Sequence, residues 1–129
     1  MSYLLDANAF LDLVRRKKTL IAGQYILDLT IYEIGNAIWK EVTLFRTLTK
    51  DEAIQFMTDL MNIIQKMNII RIQEDLNQIM SLAIEKHLTF YDAAYLHFAA
   101  KKGLTLVTND KKLFSVAKDK VKVLHSDEI

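Results

Sequence analysis

The chain has 129 residues, enough for one compact domain with a substantial core and too few for two independently folding units, so a single domain over residues 1–129 is expected. Apolar residues make up 51% and charged residues 26%, with no cysteine; this composition excludes intrinsic disorder, a disulfide framework and a thiolate metal site. Net charge is +1, without the strong basic imbalance that announces a nucleic-acid binder, so any such role must rest on a local site.

The opening stretch MSYLLDANAF reaches Asp6 before any apolar run could serve as a signal peptide, and none approaches the roughly 18 residues of a membrane span. A soluble, cytoplasmic protein with no membrane association is the expectation. Tyr3 to Leu5 reads as a short buried strand ending in Asp6. Asn8 to Lys18 follows as a helix with Ala9, Phe10, Leu13 and Val14 as its apolar positions and the basic cluster Arg15 to Lys18 at its C-terminus, where cations are favoured. After a turn near Gly23, Tyr25 to Leu29 reads as a second strand. Thr30 then starts a helix with Ile34, Ile38, Val42 and Phe45 on one face, ending near Arg46.

Thr49 to Lys66 repeats the helical pattern through Ala53, Met57, Leu60, Met61 and Ile64, with Thr49 and Glu52 spaced as a capping box. Asn68 to Ile72 is a third strand. Glu74 to His87 is helical through Leu76, Ile79, Met80 and Ala83, and another helix runs from Thr89 to the Gly103 stop. Leu104 to Val107 is a continuous apolar strand of the kind covered on both faces, followed by a short helix from Asp110 and a last strand, Val121 to Leu124. This alternation predicts an α/β fold with right-handed crossovers and a mainly parallel central sheet carrying helices on both sides.

Four of the sixteen acids stand where a strand hands over to a helix or in a first helical turn. Each has a structural explanation. Thr30 to Glu33 and Thr89 to Asp92 have capping-box spacing, and Asp6 and Asp110 suit N-cap positions. Taken together they point further, because the strand ends of an open parallel sheet share one rim where ligands bind, which places Asp6 and Asp110 side by side. Asp92 shares a helix face with Leu96 and Ala99, and Glu33 falls with Ala37, neither with a lysine or arginine three or four residues away on that face. A buried carboxylate needs a charge partner, and a metal ion is the natural one. Hard cations such as Mg²⁺ take few carboxylates, keep waters and leave room for a phosphate, which suits phosphodiester hydrolysis.

Four stretches in order resemble one known pattern: Leu-Asp-Ala-Asn near the N-terminus, Thr-x-x-Glu-x-x-Asn opening the second helix, Phe-Tyr-Asp-Ala-Ala-Tyr, and Leu-Thr-Leu-Val-Thr-Asn-Asp-Lys-Lys-Leu. Across the whole chain they resemble the PIN-domain nucleases, especially the VapC-type toxins of toxin–antitoxin pairs. The resemblance implies a PIN-like three-layer α/β/α fold and a Mg²⁺- or Mn²⁺-dependent endoribonuclease. It also implies an RNA substrate, a cognate VapB-type antitoxin and a homodimer. Carried over by position, Asp6, Glu33, Asp92 and Asp110 form the acidic quartet; Asn8 is a polar contact near the metal and its waters, and Thr108 and Asn109 order the loop around Asp110. Ala7 departs from the pattern, which commonly has Thr or Ser there.

Arg15, Arg16, Lys111 and Lys112, with Lys17 and Lys18, are candidates for RNA phosphate contacts, or else form solvated helix ends. Trp39 and Phe45 are expected in the core rather than, with Arg46, in a partner groove, Tyr95 and Tyr91 packed beside Asp92 rather than stacked on a base, and His97 as a satisfied helix residue. A receiver-like signalling domain fits poorly, since it calls for paired acids after the first strand. A PIN-like module that binds RNA or protein without cutting is the other alternative. With only Gly23, Gly35 and Gly103, a glycine-rich phosphate loop or dinucleotide site is set aside.

Overall fold

A computed structural model describes residues 1–129. Its strands are β1 (Tyr3–Leu5), β2 (Tyr25–Leu27), β3 (Asn68–Ile70), β4 (Thr105–Val107) and β5 (Val123–Leu124). Its helices are α1 (Ala7–Arg15), α2 (Asp28–Thr43), α3 (Lys50–Ile64), α4 (Leu76–Lys86), α5 (Phe90–Lys102) and α6 (Lys111–Ala117). The sheet is ordered β3-β2-β1-β4-β5, and every pairing is parallel. All strand ends therefore share one edge.

Side-chain alternation along these short strands builds two cores. Leu4, Leu27 and Leu106 point into a layer with Ile79 of α4, Leu96 of α5 and Leu113 of α6. Leu5, Ile26 and Val107 point the other way, onto Phe10 of α1, Ile38 of α2 and Leu60 of α3. The result is the expected three-layer α/β/α arrangement, with apolar strands because both faces are covered. No helix is long and apolar enough to cross a membrane.

Local chemistry moves several boundaries. The strand expected to reach Leu29 stops at Leu27, and α2 begins at Asp28. The Thr30 hydroxyl accepts the Leu27 N–H (3.1 Å) and Asp28 Oδ1 accepts the Leu29 N–H (2.9 Å), so the first turn forms directly off the strand. Thr30 is thus inside the helix, fully buried, and the Thr30–Glu33 capping box is not made. The Thr49–Glu52 box is made reciprocally, at 2.9 and 3.1 Å. At Thr89 only half the box forms: its hydroxyl accepts the Asp92 N–H.

Trp39 and Phe45 are corrections. They are 51% and 64% exposed, not core. Ile34 and Ile38 already fill the core side of α2, Trp39 lies about 100° round the helix from Ile38, and Phe45 lies beyond the helix end at Thr43. Tyr32, Leu44, Ile54 and Met61 add to the exposed apolar surface of α2 and α3.

Candidate active site at the carboxyl rim

Asp6 follows β1 directly and donates its N–H to the Val107 carbonyl at 3.2 Å. Its side chain does two things. Oδ1 accepts the Ala9 N–H at 2.9 Å, capping α1, while Oδ2 accepts the Thr108 hydroxyl. Thr108 Oγ1 in turn accepts the Asp110 N–H at 3.1 Å, and Asp110 Oδ1 caps α6 through the Leu113 N–H at 2.7 Å. Both capping assignments hold, and both residues stand on one rim. The Thr108 side chain binds them into one unit.

Glu33 arrives from the second turn of α2, and Asp92 from the first turn of α5, in front of the wholly buried Leu96 and Ala99. Glu33 Oε1 accepts the Tyr95 hydroxyl at 2.7 Å. Burial pushes the Asp6 carboxyl up to about 6 from an ordinary 3.8; the Thr108 and Ala9 donors oppose the rise, and the charges of Glu33 and Asp92 add to it. Glu33 is raised by burial, with the Tyr95 bond opposing and the Asp92 charge adding. Asp92 is raised by burial and by the Asp110 charge, against the Thr89 hydroxyl and Lys112. Burial and the Glu33 charge raise the Tyr95 phenol well above its usual value.

The four acids thus sit in each other's electrostatic field, and none forms an ion pair. They are not drawn into a closed cage: no three acidic or imidazole side chains already form a ligand set. What is present is an all-oxygen donor group whose negative charge no ion pair offsets, which fits a hard divalent cation that binds through one or two carboxylates and retains water.

A cleft of about 1040 Å³ runs from this rim between α1 and α2, lined among others by Asn8, Arg15, Tyr32, Glu33, Lys40 and Tyr91. Asn8 is exposed to it. Asn109 points elsewhere: its amide Nδ2 donates to the Ser126 hydroxyl (2.7 Å) and its Oδ1 accepts the Ser126 N–H (2.9 Å). Ser126 Oγ donates on to Asp12 Oδ2 at 2.6 Å, so the loop before Asp110 is tied to α1. Arg15 is engaged with Glu41 and lies over the Phe56 ring, and Arg16 with Asp12 and Asp127. Of the basic candidates Lys17, Lys111 and Lys112 are exposed without an ion pair, and the latter two stand next to Asp110.

Sequence reasoning missed Thr30 and Ser126 as parts of this site, and placed Tyr95 beside Asp92 without its bond to Glu33. Tyr95 carried a signal, since a phenol in an otherwise apolar helix needs a partner when buried. Ser126 carried none.

An all-parallel α/β/α sheet with acids on its carboxyl rim defines the class: the chain belongs to the PIN domain family, whose profile matches residues 3–119. It is 34% identical over 128 residues to "Exonuclease VapC9" of Pyrobaculum aerophilum, covering 95% of this chain and 91% of that protein. To "Ribonuclease VapC3" of the same organism it is 34% identical over 89 residues, 69% of this chain and 67% of that one. The crystal structure of PAE2754 from P. aerophilum superposes with a TM-score of 0.83 at 33% identity, covering 99% of this chain and 91% of that one. VapBC2 of Rickettsia felis, solved bound to a DNA fragment from its promoter, shares the fold (TM-score 0.63, 18% identity, 97% and 98% coverage).

Proposed function

We propose that this chain is a metal-dependent endoribonuclease, the toxin of a VapBC-type pair, with Asp6, Glu33, Asp92 and Asp110 as its acidic quartet. The observation that carries the reading is Asp6: a carboxylate 8% exposed, pushed up to about 6, facing Glu33 and Asp92 with no cation beside it. Such an arrangement is costly for a structural cap and useful for a site that waits for positive charge. Asp6 and Asp92, with Glu33 and Asp110, would hold Mg²⁺ or Mn²⁺. The ion supplies an activated water and neutralises charge on a phosphate.

The chain's own residues do the rest. Thr108 fixes the Asp6 carboxylate and the Asp110 backbone as one unit, and Asn109 with Ser126 anchors that loop to α1. Lys111 and Lys112, exposed beside Asp110, draw the RNA backbone toward the acids. Support for RNA and for an antitoxin partner comes from the VapC3 name and the VapBC2 complex. The antitoxin and a second copy of the chain would cover the exposed side chains of α2 and α3, Trp39 and Met61 among them.

The test uses linear and circular single-stranded RNA with purified protein in Mn²⁺, in Mg²⁺ and in chelator. Metal-dependent cleavage of both forms is expected. Cutting of linear RNA alone would make the enzyme an exonuclease, as the VapC9 name has it. Equal cleavage with and without chelator rejects the metal mechanism, and no cleavage in any condition leaves the non-cutting PIN module as the reading. Light scattering across a concentration range, with and without the product of the adjacent reading frame, tests dimer and antitoxin.

A further inference from the structure

Tyr95 is the largest wholly buried side chain and the only one in that set with a polar atom. Its hydroxyl stands 2.7 Å from Glu33 Oε1 and 2.6 Å from Thr30 Oγ1. The direction of each bond follows from the groups present. An ionised carboxylate only accepts, so the Tyr95 proton goes to Glu33. The Tyr95 oxygen must then accept from Thr30, whose own oxygen accepts the Leu27 N–H at 3.1 Å. A one-way relay runs from the end of β2 through Thr30 and Tyr95 to one oxygen of Glu33. Glu33 Oε2 takes no donor from the protein.

Glutamate has a long, rotatable side chain, and freezing it at a surface costs conformational entropy. A neutral phenol restrains it without cancelling its charge, as a lysine would. Tyr95 is itself buried in the core layer it shares with Leu27 of β2, Ile79 of α4 and Leu106 of β4, so the restraint is rigid. Resting on the nuclease reading, we propose that Tyr95, set by Thr30, is a positioning residue that holds Glu33 by one carboxylate oxygen, leaving the other for a divalent cation or its bound water.

Tyr95→Phe, Thr30→Val, Thr30→Ser, Glu33→Gln and the double variant Tyr95→Phe/Glu33→Gln are compared for Mn²⁺ affinity by isothermal titration calorimetry, for kcat and KM on RNA, and for melting temperature. Tyr95→Phe is expected to weaken Mn²⁺ binding about tenfold, the usual reach of groups that orient a metal's ligands. Its kcat should fall comparably, with KM for RNA within about twofold of wild type. Thr30→Val should shift both in the same direction, and Thr30→Ser, which keeps the hydroxyl, should restore them. In the Glu33→Gln background, Tyr95→Phe should weaken Mn²⁺ binding no further. An unchanged Mn²⁺ affinity in Tyr95→Phe, or an additive loss in the double variant, overturns the relay while a cleaving, Mn²⁺-binding wild type keeps the nuclease reading. A wild type that neither binds nor cleaves overturns both. Should Tyr95→Phe fail to fold, Thr30→Val against Thr30→Ser decides, because they address the same bond from its other end.

Discussion

Two aspartates are almost covered by protein, Asp75 at 5% and Asp6 at 8% exposed, and the chain treats them in opposite ways. Asp75 Oδ2 receives Lys101 Nζ and His97 Nε2, each at 2.7 Å, and these partners hold its carboxyl below the usual range. Asp6 receives a hydroxyl and a backbone N–H but no cation, and burial pushes it up to about 6. Nothing in the fold prevents a buried acid from being paired, since α5 does so at Lys101. At the rim the charge is left open, and in the nuclease reading that opening is where the metal enters.

The comparison breaks first at activity. Asp6→Asn should lower metal-dependent RNA cleavage by about 10³-fold, roughly 4 kcal/mol of transition-state stabilisation, while its melting temperature in chelator stays level or rises. Lys101→Met should do the reverse: cleavage unchanged, melting temperature lowered with or without metal. A cleavage assay and a melting curve on both variants suffice, and matching phenotypes would erase the distinction.

The pH dependence carries opposite signs at the two sites. Asp6 loses its proton near 3.8 when unfolded and near 6 when folded, so its contribution to stability declines as pH rises through that window. The full cost, on the order of 3 kcal/mol, is present above about pH 6. Asp75, lowered in the fold, adds stability above its ordinary value and loses it as pH falls below. Urea denaturation in chelator at a series of pH values should therefore show wild type losing ground to Asp6→Asn between pH 4 and pH 7. Parallel curves would remove the penalty assigned to Asp6.

Metal should then restore what burial costs. Mn²⁺ at a hundredfold excess over its Kd is expected to stabilise wild type by about 2.7 kcal/mol, to leave that gain intact in Lys101→Met, and to lose most of it in Asp92→Asn. A metal-indifferent wild type in the same thermal-shift series contradicts the rim assignment. The smallest effect belongs to the cap: Asp110→Ala should cost about 1 kcal/mol in chelator through the lost Leu113 N–H bond. No loss there would mean that relief of repulsion with Asp92 offsets the cap.

The sheet and its rim were legible in the sequence because they follow from local pattern: Tyr3–Leu5 then Asp6, and Leu104–Val107 then Asp110, each read as a strand handing over to a helix. Their spatial neighbourhood followed from topology alone. The ties between them were not legible, since Thr108 to Asp6, Tyr95 to Glu33 and Ser126 to Asp12 join residues far apart in the chain, and no periodicity reports such pairs. Thr30 misled because a cap and a buried relay hydroxyl share the same spacing to Glu33. Trp39 misled because an aromatic in an amphipathic helix marks apolar surface without saying whether this chain or another covers it. Arg15 and Arg16 looked like free cations until the fold brought Glu41 and Asp127 to them, although Asp12, one helical turn before Arg16, was already within its reach in the sequence.

The division of each strand between two cores has a consequence for how such a chain can change over generations. Leu4 serves one layer and Leu5 the other, so one residue gained or lost within β1 would exchange their places. The same slip would carry Asp6 away from Thr108. Packing and chemistry therefore impose one shared requirement on the count of residues from Tyr3 to Ala9, whatever their identities. Descendants can lengthen the stretch between α1 and β2, or that between α6 and β5, at little cost. In β1 substitutions remain open to them, while insertions and deletions are closed.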